Sequence, residues 1–133
     1  MKTFNYILFI DDEYSSNYYH EFILKDCSLV KETSSFLSAR KALKYFRDIK
    51  AGIPNKMPDA IFLDINMPEI DGFEFIDLFQ AIQLEQPPII IIISTTLHPN
   101  EEEKAKNHPL VFNFINKPLT VEFIQELSLA VSE

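Results

Sequence analysis

Short apolar runs alternate along the chain with longer stretches in which apolar residues recur at helical spacing. Tyr6–Ile10 (YILFI) is an apolar run that stops at Asp11. Tyr14–Cys27 follows, with Tyr18, Phe22 and Ile23 at helical spacing, and then Leu29–Thr33 reads as a second, weaker strand. Ser38 is placed to cap a helix whose inner stripe is Ala42, Leu43, Phe46 and Ile49. Ala51–Pro58 carries Gly52, Pro54, Asn55 and Pro58 and reads as a loop. Ala60–Leu63 (AIFL) is a third strand ending at Asp64, and Met67–Gly72 is a loop. Phe75, Ile76, Phe79 and Ile82 mark a third helix, after which Pro87-Pro88 resets the chain. Ile89–Ile93 is β-branched throughout, the pattern of a strand buried on both faces. Pro99–Asn107 is polar and predicts a short fourth helix, Val111–Ile115 a fifth strand. Thr120 then caps a last helix lined by Phe123, Ile124, Leu127 and Val131.

Five strands alternating with five helices predict βαβ units, hence an α/β fold with a parallel, doubly wound sheet and right-handed crossovers. Residues 1–133 fit one domain, with no internal repeat and no linker to divide them. A 47% hydrophobic composition, with twelve Phe and five Tyr, supplies a core. No apolar run approaches the ~18 residues of a membrane span, and the N-terminus lacks the long apolar run of a signal peptide. Cys27 is the single cysteine, so no intrachain disulfide forms. A cytoplasmic protein without membrane contact is the simplest expectation. The net charge of −8 argues against nucleic-acid binding, which needs a clustered basic surface.

In open α/β sheets the site lies at the C-terminal ends of the strands. There the first strand delivers Asp11, Asp12 and Glu13, and the third delivers Asp64 and then Asn66. The fourth delivers Ser94, Thr95 and Thr96, and the fifth Lys117 followed by Pro118. Asp11, Asp12 and Asp64 would repel one another unless a cation intervened. Mg²⁺ (or Mn²⁺) suits such a site, because it binds through one or two carboxylates, keeps waters and accepts phosphate oxygens. Lys117 adds a positive charge and Ser94 a hydrogen-bond donor. Each feature alone is unremarkable, since Asp-Asp after a strand is often a turn or helix cap. Their joint placement on four strands points to an aspartate nucleophile in phosphoryl transfer.

The segments Ile10-Asp11-Asp12-Glu13, Ile61–Gly72 (IFLDINMPEIDG), Ile93-Ser94-Thr95 and Lys117-Pro118 resemble the receiver domains of two-component response regulators. The resemblance runs from Tyr6 to about Val131. It implies a flavodoxin-like, CheY-like fold with strand order 2-1-3-4-5. It also implies that Asp64 is the phosphoacceptor, that Asp12 ligates Mg²⁺ directly with Asp11 acting mostly through water, and that Asn66 offers its backbone carbonyl. Ser94 would be the switch hydroxyl, Thr95 would offer its backbone N–H to the phosphoryl group, and Lys117 would contact the phosphoryl oxygens. Phe114 matches the switch aromatic of the face made by the fourth helix, fifth strand and fifth helix. The Lys117-Pro118 bond is expected to be cis.

The implied partners are a sensor histidine kinase or histidine phosphotransfer protein and a downstream protein target. The chain would be a bacterial, stand-alone receiver, monomeric or a weak phosphorylation-dependent dimer. It would be no enzyme beyond catalysing its own phosphorylation and dephosphorylation. Effector, phosphorelay shuttle and phosphate sink all stay open. A phosphate-independent binding module is the main rival. A hydrolase working through an aspartyl phosphate is a second, although Asn66 stands where such enzymes commonly carry an acid. His20, His98 and His108 are scattered without metal-ligand spacing, and Phe residues other than Phe112 are expected in the core. Asn107–Val111 departs from the usual family pattern and Thr95 is bulkier than the common alanine. Glu101, Glu102 and Glu103 suit the N-terminus of the fourth helix.

Overall fold

The computed structural model describes residues 1–95 and 97–132. Strands and helices alternate in the order β1 (Ile7–Ile10), α1 (Tyr14–Leu24), β2 (Thr33–Phe36), α2 (Ala39–Lys50), β3 (Ala60–Leu63), α3 (Gly72–Ile82), β4 (Ile89–Ser94), α4 (Pro99–Asn107), β5 (Val111–Asn116) and α5 (Val121–Ala130). The five strands are parallel and ordered β2-β1-β3-β4-β5. Register aligns the strand ends: Ile10 lies beside both Phe36 and Leu63, and Leu63 beside Ile92. The residues that follow β1 and β3 therefore emerge together at one edge.

Alternation along the central strands divides the core in two. Leu8, Ile10, Ile61, Leu63, Ile90 and Ile92 point toward α2, α3 and α4, which contribute Ala42, Leu43, Phe46, Phe75, Ile76, Phe79 and Ala105. Ile7, Phe9, Ala60, Phe62, Ile91 and Ile93 point toward α1 and α5, which contribute Leu24, Ile124 and Leu127. Helices α2, α3 and α5 start on side-chain caps. Ser38 Oγ accepts from Lys41 N at 3.2 Å, Asp71 and Glu74 form a reciprocal capping box on α3, and Thr120 Oγ1 accepts from Phe123 N at 3.1 Å.

The second strand lies later than the Leu29–Thr33 expected from the apolar pattern. Val30 makes an isolated bridge to Phe4, and the strand proper is Thr33–Phe36 (TSSF). An edge strand has a neighbour on one side only, so its polar composition is tolerated and its pattern is weak. The helix after Asp11 ends at Leu24 and turns Asn17, His20 and Leu24 inward, leaving Tyr18 and Phe22 about 60% exposed. Phe22 thus joins Phe112 as a phenylalanine outside the core. In β5 the pairing steps from Ile90↔Val111 to Ile91↔Asn113, so Phe112 sits in a bulge. Beyond it Phe114, half-buried, packs on the α2–α4 side.

The segment before β5 is organised by His108. Its Nδ1 accepts from Leu110 N at 3.2 Å, its Nε2 lies 3.3 Å from Asp77 Oδ1, and its carbonyl accepts from Val111 N. At the start of α4, Glu101 Oε1 accepts from His98 N at 3.0 Å.

Candidate functional site

The polar residues at the C-terminal strand edge converge. Asp11 N donates to Phe36 O at 3.2 Å, and Asp64 N donates to Ile10 O at 3.0 Å, so the sheet ladder continues into both residues. Asp11 Oδ1 accepts from Glu13 N at 2.9 Å, and Asp64 Oδ1 accepts from Asn66 N at 3.2 Å. Asp11 and Asp64 are buried and Asp12 is exposed. Lys117 comes from the far side of the sheet, its N–H donating to Ser94 O at 2.7 Å. Its Nζ donates to Asp11 Oδ2 at 2.6 Å and lies 3.7 Å from Asp64 Oδ2. Ser94 is fully buried, and Asn66 Nδ2 donates to its Oγ at 3.3 Å. Thr95 is exposed beside it, and Thr96 lies outside the described residues. The Lys117–Pro118 peptide is cis.

The loop between Asp64 and α3 passes against Gly72. Gly72 N donates to Ile65 O at 3.0 Å. A Cβ on Gly72 would meet Ile65 Cα at 2.6 Å and Asp64 O at 2.9 Å, closer than such atoms approach. Glycine is required here because backbone meets backbone.

The electrostatics follow from burial. Asp64 is pushed up to about 6 chiefly by burial, with the charges of Asp11 and Asp12 adding; the Asn66 amide and Lys117 work against the rise. Burial alone would lower the Lys117 ammonium, but its hydrogen bond to Asp11 and the charges of Asp64 and Asp11 outweigh this and hold its pKa above the ordinary lysine value. One carboxylate oxygen from each of Asp11, Asp12 and Asp64 lies within 4.8 Å of the others. Three hard oxygen donors of like charge, gathered beside the Lys117 ammonium, fit a divalent cation such as Mg²⁺.

Two further residues border the site, and neither stands out in the sequence. Asn17 Nδ2 donates to Asp11 O at 2.9 Å and, at 3.5 Å, faces Phe36 O. His20 Nε2 accepts from Leu119 N at 3.2 Å, and its ring stacks on Phe9 with centroids 5.6 Å apart. Burial, with the Lys117 charge adding, lowers His20 to about 4. The available signal was spacing: positions 17, 20 and 24 form one helical stripe ending on the buried Leu24.

The family model described as the response regulator receiver domain matches residues 7–128. Among solved structures, a two-component response regulator from Cytophaga hutchinsonii superposes with a TM-score of 0.85, at 31% identity over 98% of each chain. A response regulator receiver protein from Dyadobacter fermentans gives a TM-score of 0.77 at 25% identity, over 92% of this chain and 93% of that one. Among curated proteins, a two-component response regulator of Arabidopsis thaliana is 27% identical over 91% of this chain and 18% of its own length. A protein-glutamate methylesterase/protein-glutamine glutaminase of Agrobacterium fabrum is 26% identical over 89% of this chain and 31% of its own. The chain thus spans less than a third of the curated relatives it matches.

Proposed function

The chain belongs to the family of response regulator receiver domains, and we propose that it accepts a phosphoryl group on Asp64 from a phosphohistidine of a sensor kinase or phosphotransfer protein. The observation that carries this reading is Lys117 Nζ held 2.6 Å from Asp11 and 3.7 Å from Asp64, beside carboxylate oxygens gathered within 4.8 Å.

Asp11, Asp12, Asp64 and the Asn66 carbonyl are the groups that would hold Mg²⁺ (or Mn²⁺). When bound, the ion supplies positive charge against the phosphoryl oxygens. The chain's own residues do the rest. Asp64 presents one carboxylate oxygen to the phosphorus in line with the leaving imidazole. The O–P bond forms as the P–N bond breaks, and the donor imidazole keeps the electron pair and later takes a proton from water. Lys117, already between two carboxylates, offsets the charge on the transferred group. Ser94 Oγ, buried at the end of β4, is the donor that closes on the phosphoryl oxygens, with the Thr95 N–H beside it. Phe114, half-buried on β5, follows Ser94 inward and biases the α4-β5-α5 face between two states that a partner protein distinguishes. The reaction turns over no external substrate beyond the phosphoryl donor.

The test is the intact mass of the protein after incubation with acetyl phosphate and Mg²⁺. One phosphoryl adduct, absent with EDTA and absent in Asp64→Asn, is the expected result. An unmodified wild-type chain that also binds no beryllofluoride would favour a phosphate-independent binding module instead.

A further inference from the structure

Helix α1 turns two polar side chains inward where a helix covering a sheet ordinarily buries apolar ones. Asn17 ties the helix to the end of β1 through Asp11 O. One turn later His20 reaches across to the segment after β5, where its Nε2 accepts the N–H of Leu119 at 3.2 Å. His20 is 3% exposed, and the Leu119 side chain is buried in the core shared with α5. The imidazole is fixed from two sides. The Phe9 ring of β1 lies against it at an interplanar angle of 17°, and the Tyr19 ring meets it edge-on, with centroids 5.6 Å apart.

The turn Lys117–Leu119 is therefore tethered at both ends. Lys117 N is held by Ser94 O at 2.7 Å and Leu119 N by His20 Nε2. Between the two tethers the Lys117 side chain leaves for Asp11 and Asp64. An apolar residue at position 20 would leave a buried N–H without its acceptor, which a backbone relieves by moving. The bond assigns the imidazole proton to Nδ1, and burial keeps the ring neutral and accepting throughout the neutral range.

We propose that His20 is a positioning residue for phosphoryl transfer, which holds the Lys117–Leu119 turn so that the Lys117 ammonium stays between Asp11 and Asp64. The inference rests on the reading of Asp64 as phosphoacceptor. It makes α1 a strut that joins the carboxylate end of β1 to the lysine end of β5.

The test compares rates of adduct formation from acetyl phosphate at saturating Mg²⁺. The chains are wild type, His20→Phe, His20→Gln, Lys117→Ala and the double variant His20→Phe/Lys117→Ala. Phenylalanine keeps the ring against Phe9 but has no acceptor; glutamine restores an acceptor near the Nε2 position. His20→Phe should slow labelling about tenfold, a sub-ångström share of the roughly hundredfold loss that a misplacement of about 1 Å can cause. His20→Gln should recover most of the loss, and His20→Phe should add nothing once Lys117 is alanine. Should His20→Phe not fold, judged by circular dichroism, His20→Leu takes its place in the same comparison. Wild-type rates in the acceptor-free variant, or the same fold-loss with and without Lys117, would overturn the inference alone. A wild-type chain that takes no phosphoryl group would overturn the reading of Asp64 and this inference with it.

Discussion

Helices α2 and α1 cover opposite faces of the same sheet, and they bury different chemistry. The inner stripe of α2 is Ala39, Ala42, Leu43 and Phe46, all apolar. That of α1 is Asn17, His20 and Leu24, while Tyr14, Tyr18 and Phe22 stack along its outer side. The difference follows from position. α2 packs over Leu8, Ile10 and Ile61, where the strands need only apolar cover. α1 lies beside the strand ends, where backbone groups leave the ladder and need side-chain partners. One face of the molecule stabilises, and the helix that borders the site organises it.

The largest effect that would test this contrast is a cavity on the apolar face. Phe46→Ala should lower unfolding free energy by about 3–5 kcal/mol, measured by urea denaturation, because a fully buried ring is lost between Phe79 and Tyr45. A loss below about 1 kcal/mol would break the comparison.

Next in size is the pH dependence of the polar end, where two groups act in opposite directions. His20 has a folded pKa of about 4, below its ordinary 6.5, so its contribution to stability is full above pH 6.5 and is lost as pH falls toward 4. Asp64 has a folded pKa of about 6, above its ordinary 3.8, so its contribution is full below 3.8 and is lost as pH rises through 6. Each effect is on the order of 3 kcal/mol. In metal-free wild type they largely cancel between pH 4 and 6.5. Asp64→Asn removes one of them, so at pH 7 the variant should be more stable than wild type, and its stability should fall more steeply on acidification. A variant whose stability tracks wild type at each pH would contradict the assignment.

Gly72→Ala should have a smaller effect, about 1–3 kcal/mol, because the new methyl pushes the start of α3 from the Asp64–Ile65 backbone. The same variant should also slow phosphorylation, since the displaced loop carries the phosphoacceptor. Smallest of all, Tyr18→Ala on the outer side of α1 should change stability by no more than about 0.5 kcal/mol. A loss comparable to that of Phe46→Ala would mean that the aromatic stripe is structural after all.

How much of this could be read in the sequence follows the same division. The α2 stripe and the third strand, Ala60–Leu63, are legible because apolar periodicity and burial coincide there. The apolar pattern points to Leu29–Thr33 because Leu29 and Val30 are apolar, whereas the edge strand itself, Thr33–Phe36, is mostly polar. The site residues stand out because they end or follow largely apolar strands, and parallel register then aligns those strand ends. Asn17 and His20 did not stand out. Their partners are backbone groups of other segments, and the bond from Leu119 to His20 spans 99 residues. In α1 the aromatic spacing competes with the true inner stripe, and only tertiary contacts decide between them. The bulge at Phe112 likewise hides which residues of β5 share a face.

The central claim is that Asp64 itself carries the phosphoryl group. Borohydride reduction of the protein labelled with acetyl phosphate and Mg²⁺, followed by peptide mass spectrometry, tests it most directly, because reduction marks permanently the carboxylate that held phosphate. The account predicts a single reduced residue at position 64, dependent on Mg²⁺ and absent without acetyl phosphate. Reduction at Asp11 or Asp12 instead, or no reduced carboxylate in a sample whose intact mass shows the adduct, would contradict it.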